Sequence, residues 1–243
     1  MTLRPAARSA KIGYGLRRSA GRPARCSTMP LSASQIERYS RQIIVPRVGG
    51  HAQERLLGVR LVMAGDAHDV EPALLYLVGA GVGRIELGLG KDARRANELA
   101  SATKDLNPDV TVTALSDRPG SLIQLVLAII GSPSSLATAE ALVARFSRTA
   151  WVAARTDSPA RIALLPSPSP CPRCAEGGLF SPFGTRAGNA SIVAMAACTE
   201  AFKLLAGYDR QPGATLTEFD GYESRCRAVG GDPACECRER GTR

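Results

Sequence analysis

Val59-Arg-Leu-Val-Met-Ala-Gly65-Asp-Ala-His-Asp-Val70-Glu-Pro72-Ala-Leu-Leu-Tyr-Leu-Val78-Gly-Ala-Gly-Val-Gly83-Arg-Ile-Glu-Leu-Gly-Leu89 is the stretch that decides the fold. Val59 to Ala64 is a compact apolar run stopped by Gly65, the profile of a parallel strand buried on both faces. Pro72 to Val78 reads as a helix with proline in its first turn. Gly79 to Gly83 closes that helix, and Arg84 to Leu89 is a second strand. Strand, loop, helix and strand in so short a span open a parallel α/β sheet.

The pattern continues on both sides. Ser32 to Gln42 reads as a helix, and Gln53 to Leu57 as a short one leading into the first strand. Downstream, Arg94 to Leu106 is a helix stopped by Asn107-Pro108. Val110 to Leu115 and Leu122 to Ile130 are strands, and Ser134 to Phe146 is a helix. Trp151 to Arg155, Arg161 to Leu165 and Thr215 to Phe219 are further strands. Ala187 to Leu205 is a long helix rich in small residues, ending at Gly207. The expected class is a mostly parallel α/β sheet. The longest apolar run, Leu122 to Ile130, is broken by Gln124 and falls far short of the ~20 residues that cross a bilayer, so no membrane partner is expected.

The formal charge of +9 invites a nucleic-acid reading, and its location answers it. Seven of the 31 basic residues and none of the acidic ones lie in residues 1–28, leaving 24 basic against 22 acidic in the body. Residues 1–28 therefore read as a disordered basic extension, either an organelle leader or the result of a start assigned upstream of Met29. Residues 29–243 form the domain. Its near-neutral charge argues against nucleic acid, including a zinc-ribbon reading. The extension has no apolar core of a secretory signal, so a cytoplasmic location is expected. With no export signal, cysteines clustered from Cys171 onward favour metal over disulfides. Cys171-x-x-Cys174 has the spacing that lets two thiolates reach one ion.

Four segments in order resemble the ThiF/MoeB/HesA family of ubiquitin-activating-type proteins. They are Glu37-Arg-Tyr-Ser-Arg-Gln-Ile-Ile44, similar to an R-Y-x-R-Q motif; Arg60 to Gly83, ending in A-G-V-G; Cys171-Pro-Arg-Cys174 with Cys235-Glu-Cys237; and Glu200 to Tyr208. The resemblance implies a Rossmann-like, doubly wound, mostly parallel α/β fold that binds ATP and adenylates the C-terminal glycine of a ubiquitin-like sulfur carrier protein, commonly as a homodimer. It also implies a structural zinc clip formed by 171–174 and 226–237, with Cys171, Cys174, Cys235 and Cys237 as ligands. The family's second pair is C-x-x-C, whereas this chain has C-x-C with Cys226 as a spare.

The nucleotide-contacting positions depart from the family. Its G-x-G-G-x-G loop is here Gly65-Asp-Ala-His-Asp-Val70, keeping only Gly65 and placing Asp66 and Asp69 where phosphates would lie. Leu89 stands where an aspartate would grip the ribose. The loop carrying an asparagine and an arginine looks deleted, and the lysine of the next helix aligns with Arg95. Gly131 to Ser135 offers no carboxylate for a metal, and no substitute is evident nearby. Gly65 and Arg95 are the remaining nucleotide-site candidates, and no catalytic residue is assigned. His51, His68 and Cys198 stand in no recognisable pairing. ATP and magnesium are therefore doubtful. The expected function is a family member deficient in adenylation that binds a sulfur carrier protein or an active paralogue. The alternative is an active ATP-dependent adenylyltransferase with a rearranged site, using Arg95 and basic groups of a dimer partner.

Overall fold

The structure, a computed structural model, describes residues 30–46, 48–116, 122–166, 170–175, 179–208, 213–220, 223–232 and 234–235. The basic extension, Cys26 and Cys237 lie outside these residues. The chain runs α1 (Ala33–Arg38), α2 (Ser40–Ile43), α3 (Gly49–Leu57), β1 (Arg60–Gly65), α4 (Ala67–Gly79), β2 (Arg84–Gly88) and α5 (Ala93–Thr103). It continues with β3 (Thr111–Ala114), β4 (Leu125–Ile130), α6 (Pro133–Phe146), β5 (Ala150–Arg155), β6 (Ala160–Leu165), α7 (Ala190–Ala206), β7 (Thr215–Asp220) and β8 (Glu223–Ala228).

One eight-stranded sheet has the order β3-β2-β1-β4-β5-β6-β7-β8. The five strands from β3 to β5 are parallel, and β6 to β8 add an antiparallel extension. The apolar runs explain this arrangement, since β1, β4 and β5 are buried almost throughout, as strands covered on both faces must be. One core layer packs Leu61, Met63, Leu74, Leu77, Ile85 and Val193 with their neighbours on one face of the sheet. The other places Val62, Val126, Trp151, Leu142 and Phe146 on the opposite face. The winding reverses between β1 and β4, which makes their C-terminal ends the crevice where such sheets bind ligands.

Several boundaries differ from the sequence expectations. The helix expected at Pro72 begins at Ala67, so Pro72 lies inside α4. Only Asp66 separates β1 from α4, because the turn is made at Gly65, with φ of +152°. Helix 32–42 is two short helices broken at Tyr39, β4 begins at Leu125, and α7 begins at Ala190. Strand β8 was not expected: every residue in it is exposed, so it lacks the apolar alternation that marks a half-buried strand.

The R-Y-x-R-Q segment acts as a rivet. Tyr39 is 1% exposed, and its hydroxyl donates to Asp109 Oδ2 at 3.1 Å and accepts from Asn107 Nδ2 at 2.9 Å. Asn107 Nδ2 also donates to the Val78 carbonyl at 2.8 Å. Arg38 meets Asp109 at 3.2 Å and Gln35 donates to it at 3.1 Å. The A-G-V-G glycines make room for these contacts. A Cβ at Gly81 would lie 2.7 Å from the Tyr39 ring, and one at Gly83 would lie 1.8 Å from the Leu57 carbonyl oxygen.

Burial, with the Asp109 carboxylate alongside, pushes the Tyr39 phenol up to about 12 against the opposing bond from Asn107. A group with a raised folded pKa contributes stability that is complete below its unfolded value of 10.0 and is lost as pH rises through about 12. Tyr39→Phe should lower the unfolding free energy at neutral pH by about 1–2 kcal/mol, the scale of a lost buried hydrogen bond. Denaturant melts at pH 7 and pH 12 should show that difference closing in the alkaline sample.

Candidate functional site

The crevice at the β1–β4 switch point is built by three segments. The first is the turn from β1 into α4. A Cβ on Gly65 would lie 2.4 Å from the Ile129 carbonyl oxygen, so only glycine lets β1 end this close to β4. Gly65 thus has a packing role in addition to its place in the crevice. The second segment leaves β4 at Gly131, where Ser132 and Ser135 form a capping box for α6.

The third segment comes from the far end of the chain. Arg155, 1% exposed at the end of β5, donates through Nη1 to the carbonyls of Leu179 (3.0 Å) and Ser181 (2.7 Å). Its Nη2 reaches the Pro182 carbonyl at 3.2 Å, and its guanidinium carbon lies 5.6 Å from the Phe183 ring centre. Asp157, itself buried, accepts from Arg155 Nε at 2.9 Å and from the Gly184 N–H at 2.9 Å. Burial alone would raise the Asp157 carboxyl, but the bonds from Arg155 and Gly184 hold it below the usual carboxylate range. Residues 179–187 are therefore tied across the strand ends, and the bonds Ser158 N to Thr185 O (2.8 Å) and Ala187 N to Thr156 O (2.7 Å) continue the seam.

This strap delivers Arg186 to Asp69. Arg186 Nη1 donates to Asp69 Oδ2 at 3.0 Å and Nη2 to Oδ1 at 2.5 Å, a bidentate pair. The Asp69 side chain is 4% exposed and that of Arg186 39%. A Cβ at Gly131 would lie 1.9 Å from Asp69 Oδ2. The Asp69 carboxylate thus occupies the space that a side chain at residue 131 would fill. This corrects the sequence expectation that no carboxylate stands near Gly131 to Ser135: Asp69 supplies one from the neighbouring helix. Asp69 also does not sit in an open loop, since it lies in the first turn of α4 and faces a guanidinium.

The other positions that the sequence reading assigned to a nucleotide site are engaged within the fold. Leu89 is 8% exposed and belongs to the core, beside a cavity of about 410 Å³ lined by Leu87, Leu115, Leu142, Lys91 and Arg145. Only Leu89 to Asp92 connect β2 to α5, and the Asp92 side chain accepts from Arg95 N at 3.0 Å to cap that helix. Arg95 donates to Glu71 at 2.9 Å and to Glu98 at 3.3 Å, so its charge is committed to two carboxylates. His51 meets Glu54 at 3.2 Å, and His68 lies 3.5 Å from Asp69 Oδ2. Cys198 is fully buried, which pushes its thiol up to about 12 and leaves it protonated at neutral pH.

Cys171, Cys174 and Cys235 gather at a second place, with all three sulfurs within 4.8 Å of one another. Cys171 Sγ is 3.7 Å from Cys174 Sγ and 3.8 Å from Cys235 Sγ. A tetrahedral ion with metal–sulfur bonds near 2.3 Å spaces its ligands about 3.8 Å apart, so these separations fit such an ion. Backbone contacts hold the two limbs together: Ala175 bridges Gly231, and Asp232 N donates to the Cys174 carbonyl at 3.2 Å. Cys226 lies exposed on β8 and is not one of this group, while Cys237 lies outside the described residues. Arg155, Asp157 and Arg186 were not singled out in the sequence. The pairing of Asp69 with Arg186 spans 117 positions and has no local signal.

No protein-family model matches the chain. It is 33% identical over 109 residues to the SAMP-activating enzyme E1 of Haloferax volcanii, covering 37% of this chain and 40% of that protein. It is 34% identical over 105 residues to the vegetative protein HesA of Trichormus variabilis, covering 36% and 40%. The chain thus spans about two fifths of the length of these curated relatives. Among solved structures it is similar to E. coli MccB with MccA-N7isoASN, with a TM-score of 0.60, 13% identity, and 82% of this chain and 74% of that one covered. That likeness bears on the fold. With the sheet order and the four ordered segments, these similarities make the chain similar to the ThiF/MoeB/HesA family over part of its length, on a fold like that of MccB.

Proposed function

We propose that this chain is a family member without adenylation activity, acting in the cytoplasm by binding a ubiquitin-like sulfur carrier protein or an active paralogue. The observation that carries the reading is the Asp69–Arg186 pair seated against Gly131, which sets a carboxylate at the crevice where it would repel an approaching phosphate. Leu89 in place of a ribose-gripping acid and Arg95 committed to Glu71 and Glu98 support it. The relatives' printed names speak for the alternative, an active adenylyltransferase, since one of them is a sulfur carrier protein adenylyltransferase from Thermus thermophilus. ATP–pyrophosphate exchange with a carrier ending in Gly-Gly decides between them. Exchange no faster than in the absence of the chain is expected, and turnover above that level would establish the alternative.

The reading keeps the structural parts of the family. Zinc is the proposed ion of the cysteine cluster, held by Cys171, Cys174, Cys235 and Cys237 as a closed, structural site. One zinc per chain by atomic absorption is expected. Cys171→Ser should reduce the retained zinc and lower the melting temperature, and a chain that folds equally well without bound metal would remove the clip from the account.

A homodimer is the proposed assembly. An apolar groove of about 500 Å³ is lined by Val45, Val48, Leu75, Tyr76 and Phe202, and Ile44 beside Val45 is 78% exposed. Such a patch suits a self-complementary contact. Leu75→Glu should shift the chain from dimer to monomer in sedimentation equilibrium, with its far-UV spectrum unchanged.

A further inference from the structure

The Asp69–Arg186 pair explains more than a blocked crevice. A bidentate guanidinium–carboxylate pair and a guanidinium–phosphate pair use the same donor fork. Asp69 is therefore bound as a ligand is bound, with both oxygens engaged, its side chain 4% exposed, and Oδ2 in the volume over Gly131. Arg186 keeps 39% of its side chain exposed and also lines a cavity of about 530 Å³ with Ser158 and Asn189. Its position does not depend on Asp69 alone. The backbone on either side is tied to the β5 end through Ser158, Thr185, Ala187 and Thr156, and the strap before it hangs on Arg155.

Resting on the reading of this crevice as a former nucleotide site, we propose that Asp69 is the built-in occupant of a latent anion site. Arg186 is its receptor, and the class of ligand it excludes is the polyphosphate. The carboxylate competes from within the same chain, so an external anion must displace a partner that never diffuses away. The neighbouring charges reinforce the exclusion. Asp66 stands at the head of the same helix, its buried Oδ2 without a hydrogen-bond partner among the described residues, and adds a second negative charge near Arg186. Removing Asp69 leaves Arg186 held by the strap, open to water and without its carboxylate. An anion then gains both the guanidinium and the vacated volume over Gly131.

Calorimetric titration of the full chain with inorganic pyrophosphate tests the proposal. Wild type should show no saturable binding at millimolar anion. Asp69→Ala should bind pyrophosphate at least about ten-fold more tightly than wild type, and Asp69→Ala with Arg186→Ala should lose that gain. Asp69→Ser serves as the second variant should the alanine chain fail to fold, with circular dichroism and melting curves confirming the fold in each case. No gain in either single variant, or a gain that persists without Arg186, overturns the proposal. A wild-type chain that catalyses ATP–pyrophosphate exchange would overturn the proposed function by a separate assay, so the two failures are distinguishable.

Discussion

A carboxylate buried to 4% in the crevice of a parallel sheet must be neutralised, and in this protein that requirement organises the site. Asp69 meets it with Arg186, and reaching Arg186 takes a strap that crosses the ends of β4 and β5. The strap in turn needs Arg155, whose donors spread over the carbonyls of Leu179, Ser181 and Pro182, with Asp157 balancing its charge. Gly131 is the steric condition for the whole arrangement, because any side chain there would collide with the Asp69 carboxylate. Losing one partner of a fully buried ion pair costs roughly 3–5 kcal/mol. The exposure of Arg186 brings the cost of losing Asp69 below that range, since water solvates the guanidinium that remains.

The scaffold is held by contacts separate from those of the crevice. Tyr39, Asn107 and Asp109 still fasten the N-terminal helices to the sheet, and the glycines at 81 and 83 still admit the close contacts this needs. The cysteine cluster joins the segment after β6 to the segment after β8, tying the antiparallel extension back to the body. The positions read from the sequence as nucleotide-facing carry the buried Leu89, the Arg95 salt bridges and the Asp69–Arg186 pair.

Much of this was legible in the sequence where the signal is local. The apolar runs read at 59–64, 122–130 and 151–155 announced the strands, and a mostly parallel sheet followed from their alternation with helices. Leu89 directly follows β2, where the sequence reading placed it. What was not legible depends on distance in the chain or on polar residues with no periodicity. Asp66-Ala-His-Asp69 reads as a loop, yet the turn at Gly65 lets α4 begin at Ala67. Strand β8 carries no apolar alternation and exists because β7 offers it a ladder. Arg155, Asp157 and Arg186 look like ordinary charges until the strap folds over β5, so the carboxylate beside Gly131 was sought in the adjoining residues and found on another helix.

Calorimetric titration of the intact chain with ATP and magnesium addresses the central claim most directly, because it asks whether the crevice is filled from within. The account predicts no saturable heat up to millimolar nucleotide at physiological salt. Stoichiometric binding with a dissociation constant well below 1 mM would contradict it, since a bound triphosphate and the Asp69–Arg186 pair would compete for one guanidinium.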